Sequence, residues 1–365
     1  IGITSAAIME NKGHWVTGMN NQVIWGVPHV FAVSLIVASS GALNIATIGS
    51  LFGNSYYEPF GRLSGLLTLA LLIGGLSILV LDLGRPDRII IAMTHYNFKS
   101  IFAWNMFLYS GFLVIVSAYI WSMMDQNIAS FKKYLGLIAL IWRLALTTGT
   151  GLIFGFLIAR ESYDSAIMAP LFISISLAFG LAIFVLFISL LSLTTVASFD
   201  DRIWSQTKKL FYFFIASNIY FTLVQHLTGL YASEHRTTET LVLLDGGSIS
   251  ICFWLGQIAI GAILPLGLLL FSSEKKLLKT SIIVSIMVLF GGFCQVYVII
   301  IGGQLTPLVL FPGMTVSSSF FDGSIAPYEP SIVEFGLGIG GCAISAMIVC
   351  LGLRVLKFLP STVKQ

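Results

Sequence analysis

The fold class is decided by one stretch of the chain, residues 167–196, which reads IMAPLFISISLAFGLAIFVLFISLLSLTTV and contains no charged residue. A helix needs about 20 mainly apolar residues to cross the hydrocarbon core of a bilayer. Eight further stretches meet this requirement, at 24–51, 62–82, 101–123, 134–158, 209–231, 248–271, 279–302 and 331–356. The sequence therefore predicts an all-α, polytopic integral membrane protein with nine spans in a single membrane domain, 1–365.

The composition of the chain agrees with this prediction. Hydrophobic residues make up 57% of the 365 residues and charged residues 10%, and the mean hydropathy is +0.95. A soluble domain has about 25% charged residues, because its surface must be hydrated. The net charge of +3 is spread among loops, so nucleic-acid binding is not expected. The four cysteines form no CxxC run, so we expect no metal site, iron–sulfur cluster or c-type haem attachment on this chain.

The loops differ in their content of Lys and Arg. One side of the predicted membrane domain carries twelve of these residues and the other side six, with Arg143 inside a span. Cytoplasmic loops are enriched in Lys and Arg. We therefore expect the C-terminus in the cytoplasm and the span ends that carry His29 and Asp82 at the outer face. Residues 1–8 read like the end of an apolar segment, from which we expect a tenth helix upstream.

Ionisable residues gather at one end of the predicted spans, and each costs roughly 2.5–3.5 kcal/mol to place in the bilayer. Imidazole, carboxylate and phenol groups can exchange protons with the oxygens of a quinone, whose tail would enter from the lipid. We interpret the cluster as a quinone site in which His29 and Asp82 exchange protons while two arginines stabilise negative charge. The candidate residues are His29, Asp82, Arg85, Arg160, Glu161, His226 and Tyr231, with Glu234 and His235 just beyond.

Polar residues also recur at helical spacing within three spans. Hydroxyl and amide groups alone more often join neighbouring helices, but stripes that include His29, His226 or Arg143 favour a functional cavity. We take Ser40, Asn44, Thr47 and Arg143 as candidates for a proton path, and the sequence indicates no counter-ion for the arginine. Structural interpretations remain open, since Asp82 and Arg85 could form an ion pair that ends a helix. His14 and His95 are expected to be solvated loop histidines.

Three segments carry a resemblance to a known family. They read NNQVIWGVPHVFAVSLIVASSGALN at Asn20–Asn44, LDLGRPDR at Leu81–Arg88 and NFKSIFAWN at Asn97–Asn105. The chain resembles the NrfD/polysulfide-reductase membrane-subunit family over nearly its whole length. It is most similar to the ten-helix DsrP/HmcC branch, to which the membrane subunit of the sulfite-reductase-associated DsrMKJOP complex belongs.

The resemblance implies two four-helix bundles with flanking helices, here 24–158 and 167–302, followed by the helix at 331–356. It implies a haem-free subunit that binds menaquinone or ubiquinone near the outer face of the first bundle, at His29, Asp82 and Arg85. It also implies partners: a ferredoxin-like iron–sulfur subunit, a periplasmic multihaem cytochrome and further membrane subunits. The expected location is the cytoplasmic membrane of a prokaryote, and the expected process is dissimilatory sulfur metabolism.

Two other functions remain open. In a b-type cytochrome, His29 and His226 could ligate one haem, since they lie at similar depth. In a secondary transporter, the glycine pairs Gly74–Gly75 and Gly291–Gly292 could mark broken helices, although such pairs more often permit close helix packing. An optical spectrum of the purified chain tests the first alternative, and substrate uptake into vesicles tests the second.

Overall fold

The structure is a computed structural model that describes residues 1–54, 56–194, 201–273, 276–308 and 324–359. Within these ranges, nine helices are long and apolar enough to cross a membrane, which confirms the predicted all-α polytopic fold. A shorter helix, α1 (Gly2–Lys12), precedes them. The spanning helices are α2 (Val27–Ser50), α3 (Glu58–Leu81), α4 (Ile101–Met124), α5 (Gln126–Gly155), α6 (Met168–Leu193), α7 (Arg202–Tyr231), α8 (Ser248–Leu270), α9 (Leu277–Leu305) and α10 (Ile332–Val355).

The predicted spans differ from these helices mainly at charged ends. The span α5 opens with a 3₁₀ helix at Gln126–Phe131 and is α-helical from Lys132, where 134 was predicted, and α7 begins at Arg202 rather than at 209. Backbone hydrogen bonding continues through polar residues that lower the local hydropathy, so apolar content alone underestimates both helices. The predicted span 167–196 extends past α6, and its residues 195–196 lie outside the described residues.

Consecutive spans run in opposite directions because the connections between them are short. The N-terminus of α2, the C-terminus of α3 and Asp82 therefore lie at one end of the array, which we call the Asp82 end. The other end, here called the opposite end, carries Lys132 at the start of α5, whose Nζ lies 3.4 Å from an oxygen of Glu58. Both His29 and His226 lie near the Asp82 end, as the sequence predicts.

The helices α2 and α6 occupy the centre of the array. They are the most buried spans, and they pack against each other. On one side, α2 also packs against α3, and α10 covers both. On the other side, α6 packs against α5, α7 and α9, and α8 packs against α9. The division into two bundles at 24–158 and 167–302 stays a prediction.

Glycines permit the central helices to touch. A Cβ on Gly41 of α2 would overlap the Ser176 carbonyl of α6, and a Cβ on Gly180 would overlap the backbone of Gly41. Such small-residue crossings allow close van der Waals packing in membranes, where burial from water gives no driving force between helices. Both glycine pairs named in the sequence lie inside continuous helices: Gly74, Gly75 and Gly291 approach the backbone of a neighbouring helix, and Gly292 packs against the ring of Phe179.

Candidate functional site

A buried carboxylate ends α3. Asp82 follows the last residue of this helix, and its side chain is 1% exposed. The Nδ1 of His29, in the first turn of α2, lies 2.8 Å from Oδ2 of Asp82, although the angle of approach falls short of a hydrogen bond. The other oxygen, Oδ1, has no hydrogen-bond partner among the described residues. The contact is therefore an ion pair when His29 is protonated, and one carboxylate oxygen stays free.

A second imidazole, that of His14, also reaches Asp82. Its Nε2 donates a hydrogen bond to the Asp82 backbone carbonyl at 2.9 Å and lies 3.9 Å from the free Oδ1. The prediction that His14 is a solvated loop residue is therefore wrong. The contact depends on how the segment between α1 and α2 folds back over the end of α3, which hydropathy does not reveal. His95 is exposed, as expected.

Aromatic rings cover the His29 imidazole on one side. The indole of Trp25 stacks on it with centroids 6.1 Å apart and an interplanar angle of 27°. Phe154 at the end of α5 meets the indole edge-on at 5.8 Å, and Tyr163 lies 6.3 Å from it. Trp25 thus forms a wall beside the histidine.

Gln304 holds the segment that carries Trp25. Its side chain is fully buried, and its Oε1 accepts hydrogen bonds from the backbone N–H groups of Ile24 and Trp25, each at 3.0 Å. Its Nε2 donates to the carbonyls of Trp25 at 2.9 Å and Ile300 at 2.8 Å. One amide thus satisfies four backbone groups and fixes the entry into α2. Sequence analysis missed Gln304, because an isolated amide near the end of a span forms no recognisable motif.

Arg160 supports the same segment from the loop between α5 and α6. Its guanidinium donates to the carbonyl of Gln22 at 2.7 Å and to the carbonyl of Gln304 at 3.3 Å. Burial lowers the pKa of this guanidinium from its ordinary value. Nearby, the Tyr163 hydroxyl donates to the Ile300 carbonyl at 2.6 Å, and burial raises the pKa of this phenol. Arg160 therefore positions the chain beside His29, and the structure shows no contact between Arg160 and Asp82.

A second histidine–carboxylate pair lies at the same end of the array. The Nδ1 of His226, on α7, is 2.7 Å from Oε2 of Glu239, which lies in the short helix Arg236–Thr240. The two side chains are 14% and 10% exposed, and the ring of Phe253 meets the imidazole edge-on at 4.7 Å. Sequence analysis missed Glu239 because it falls in the 232–247 connection, outside every predicted span.

Comparison with known proteins identifies the family. Residues 15–308 match the family described as "Polysulphide reductase, NrfD". The chain belongs to this NrfD family.

Relatives within the NrfD family cover most of the chain. The "Hdr-like menaquinol oxidoreductase integral membrane subunit" of Archaeoglobus fulgidus is 26% identical over 97% of this chain and 90% of its own length. A selenate reductase subunit of Mesobacillus selenatarsenatis is 23% identical over 93% of this chain and 87% of its own length. A membrane subunit of a putative dimethyl sulfoxide reductase of Halobacterium salinarum is 26% identical over 98% of this chain and 88% of its own length.

Three other candidates lie apart from the carboxylate in this NrfD-family chain. The structure pairs Arg85 with Asp87 and not with Asp82, at 2.9 and 3.0 Å, and both side chains are exposed. Hydrogen bonding between them raises the pKa of Arg85 and lowers that of Asp87. The side chain of Tyr231 is 94% exposed. Glu161 contacts His235 through its backbone carbonyl, which accepts a hydrogen bond from Nδ1 of that histidine.

The candidate proton path is only partly assembled. The Thr147 hydroxyl donates to the carbonyl of Arg143 at 2.8 Å, and the hydroxyl of Ser40 on α2 lies 2.6 Å from the Thr147 hydroxyl and 3.4 Å from the same carbonyl. The side chains of Asn44 and Thr47 instead bond to carbonyls of their own helix. Arg143 is buried, and its Nε and Nη1 have no hydrogen-bond partner in the part of the chain that the structure describes. Ser40 thus reaches the backbone carbonyl of Arg143 and not its guanidinium, and the other two candidates stay separate.

No three His, Cys, Asp or Glu side chains converge within the described residues in an arrangement that could hold a metal ion. Near the Asp82 end, Asp82 and His29 bring together a buried carboxylate oxygen without a hydrogen-bond partner and an imidazole.

Proposed function

We propose that this chain is the quinone-binding membrane subunit of a multi-subunit redox complex, with the quinone head group at His29 and Asp82. The single observation that carries the proposal is the buried Asp82 carboxylate, which has one oxygen free and an imidazole at 2.8 Å from the other. Three relatives that cover most of the chain are named as subunits of a menaquinol oxidoreductase, a selenate reductase and a dimethyl sulfoxide reductase, which supports the same assignment.

The residues present fit a quinone head group. A buried polar atom without a partner costs about 1–3 kcal/mol, so Asp82 Oδ1 favours a ligand that can pair with it. A quinol hydroxyl donates such a hydrogen bond, and the neighbouring Trp25 indole offers a flat apolar surface beside it. When bound, the quinone supplies two-electron chemistry that is coupled to two protons.

The protein's own part is to hold and move protons. Asp82 Oδ1 accepts a proton from the ligand side, and the imidazole of His29 at Oδ2 stabilises the carboxylate or takes up the proton in turn. His14 contacts the same aspartate and is 29% exposed on its side chain, so it can pass protons to water at the Asp82 end. The indole of Trp25, which packs against Phe154, shields one face of the His29 imidazole.

The type of quinone, the partner subunits and the orientation in the membrane are proposed from the family resemblance and from the distribution of Lys and Arg in the loops. We assign menaquinone or ubiquinone as the ligand, and the name of the Archaeoglobus fulgidus relative favours menaquinone. The electron partner is a ferredoxin-like iron–sulfur subunit, accompanied by a periplasmic multihaem cytochrome and further membrane subunits, in dissimilatory sulfur metabolism as for the DsrP branch. The loop asymmetry in Lys and Arg supports a C-terminus in the cytoplasm and a quinone at the periplasmic side of the cytoplasmic membrane.

The test is quinol oxidation by the complex isolated with its partner subunits, with reduced menadione as the probe. We expect Asp82→Asn to lower kcat/KM at least about 100-fold, because general acid–base groups contribute about 10²–10⁴ in rate. Asp87→Asn is the matched control, since that aspartate is exposed and bonded to Arg85. Partner subunits should copurify equally with both variants.

Full turnover in the Asp82→Asn complex would contradict the proposal. Binding provides a separate measurement: the purified full chain should bind menadione, and Asp82→Asn should weaken this binding while Asp87→Asn leaves it unchanged.

A further inference from the structure

The His226–Glu239 pair takes no part in the proposed quinone site. It lies between α7 and the turn that follows, and its nearest aromatic neighbour is Phe253 of α8. Gly229, one turn after His226, packs directly on the glutamate side chain, where a Cβ would overlap Oε1. A buried carboxylate needs a cation or a proton nearby, because desolvation penalises its charged form. The imidazole at 2.7 Å meets this need.

A polar cavity of about 30 Å³ adjoins the pair. A site needs about 10–15 Å³ and two to four polar partners to hold one water molecule, so this cavity has room for about two. Apart from His226 and Glu239, its walls carry no charged side chain in the described residues. They carry the polar side chains of Ser162, Gln225, Thr238, Gln257 and Gln295, together with apolar residues such as Val242.

Below this cavity, amides form a closed cluster. Asn218 and Gln295 exchange two hydrogen bonds at 2.8 and 3.1 Å, and the Gln295 and Gln257 side chains both donate to Thr222. A smaller cavity of about 10 Å³ lies against Asn218, Gln257 and Gln295. Asn218 is eight residues from His226, which is about 12 Å along a helix.

Between the amide cluster and the opposite end, the buried side of α7 carries apolar side chains. Phe211, Phe214 and Ile215 are all buried in the direction of the opposite end. The polar region is thus accessible from the Asp82 end, where the His226 and Glu239 side chains retain 14% and 10% exposure, and closes within the membrane.

Other charged groups near the pair come from two connections. The loop between α5 and α6 brings Arg160, which is bonded to the carbonyls of Gln22 and Gln304, and Glu161. The turn after α7 brings Glu234, His235 and Arg236, and His235 donates to the Glu161 carbonyl. The helices α6, α8 and α9 contribute uncharged side chains to the cavity. In the described lining, His226 is therefore the one group that can carry positive charge next to Glu239.

We propose that His226, Glu239 and the adjoining cavity form a second proton-exchange site, independent of the quinone site. One proton is held between Nδ1 and Oε2, and about two water molecules in the cavity exchange it with the aqueous phase at the Asp82 end. The ligand class is water and its proton, and no proton passes from this site to the opposite end. The proposal does not depend on quinone binding.

Nuclear magnetic resonance of the full chain in lipid nanodiscs, labelled with ¹⁵N at histidine, tests the shared proton. The chain has five histidines, so single substitutions assign every imidazole signal. We expect a downfield Nδ1–H resonance of His226 that is lost in Glu239→Gln and retained in Asp82→Asn. Retention of this resonance in Glu239→Gln would overturn the proposal. Loss of quinol oxidation in Asp82→Asn concerns the quinone site alone, so the two proposals fail separately.

Exchange of this proton with deuterium oxide tests the water route. Val242 lines the cavity and is buried, so Val242→Phe should fill the space and slow exchange at least about tenfold. Leu244→Phe is the matched control, because Leu244 is 74% exposed. Thr238→Val replaces one lining hydroxyl at nearly constant volume and should slow exchange to a smaller extent. This variant tests the water route if Val242→Phe does not fold. Exchange as fast as that of the unmodified chain in both cavity variants would overturn the water route.

Discussion

Two histidine–carboxylate pairs lie at the Asp82 end, and their surroundings differ more than their geometry. The Nδ1–oxygen distances are 2.8 Å for His29–Asp82 and 2.7 Å for His226–Glu239. The first pair is covered by aromatic rings and keeps a free carboxylate oxygen, whereas the second opens into a cavity lined by amides and hydroxyls. The same two functional groups therefore suit different ligands. An apolar wall favours a lipid-soluble molecule, and an amide-lined cavity favours water.

The largest expected difference between the pairs is in catalysis. His29→Gln should lower quinol oxidation by the intact complex about 100-fold, because it removes a proton acceptor at the proposed quinone site. His226→Gln should leave the rate within about threefold, because that imidazole faces a separate cavity. The measurement is kcat/KM with reduced menadione in complexes of equal subunit content. Equal losses in both variants would show that the two pairs act as one site.

The second difference concerns the support of each pair. Gln304→Ala leaves the N–H groups of Ile24 and Trp25 without their acceptor, so we expect a loss of about 3 kcal/mol in unfolding free energy. Gln225→Ala should cost less than about 1 kcal/mol, because its amide makes one weak contact, to the sulfur of Met168 at 4.0 Å. Denaturation of the full chain by dodecyl sulfate, followed by circular dichroism, measures both. A smaller loss in Gln304→Ala than in Gln225→Ala would refute the assigned support.

The smallest effect is expected at Arg85, where sequence and structure disagree. The substitution Arg85→Gln should change quinol oxidation by less than about twofold, because exposed ion pairs contribute little and this guanidinium faces Asp87. Steady-state rates at low and at moderate salt measure the effect. A loss approaching that of Asp82→Asn would indicate that Arg85 turns toward the quinone site in the assembled complex.

Hydropathy alone predicted the number of spans found within the described residues, and it predicted that His29 and His226 lie at the same end of the array. The motif LDLGRPDR also placed Asp82 correctly at the end of a helix, since Gly84 and Pro86 prevent its continuation. The same motif misled about Arg85, because proximity in sequence suggested a pair with Asp82. Arg85, which has φ −142° and ψ 72°, bonds instead to Asp87, two residues further along the chain.

The partners that sequence analysis missed share one property. His14, Glu239 and Gln304 lie near the ends of helices or in connections, where neither apolar content nor helical spacing predicts which atoms meet. Their contacts join positions far apart in the chain, such as Gln304 with Trp25 and His14 with Asp82. Such contacts follow from tertiary packing, so one sequence could indicate the chemistry of the site but could not supply its supporting residues.

The crossing of α2 and α6 at Gly41 and Gly180 bears on how the molecule can move. Alternating access in a carrier requires one half to rock or slide against the other around a central binding site. Two backbones in direct contact resist sliding, because the neighbouring side chains are interdigitated and would overlap sterically during the movement. A membrane subunit that transfers electrons and protons needs no such movement, so a rigid crossing of its two central helices is compatible with that role.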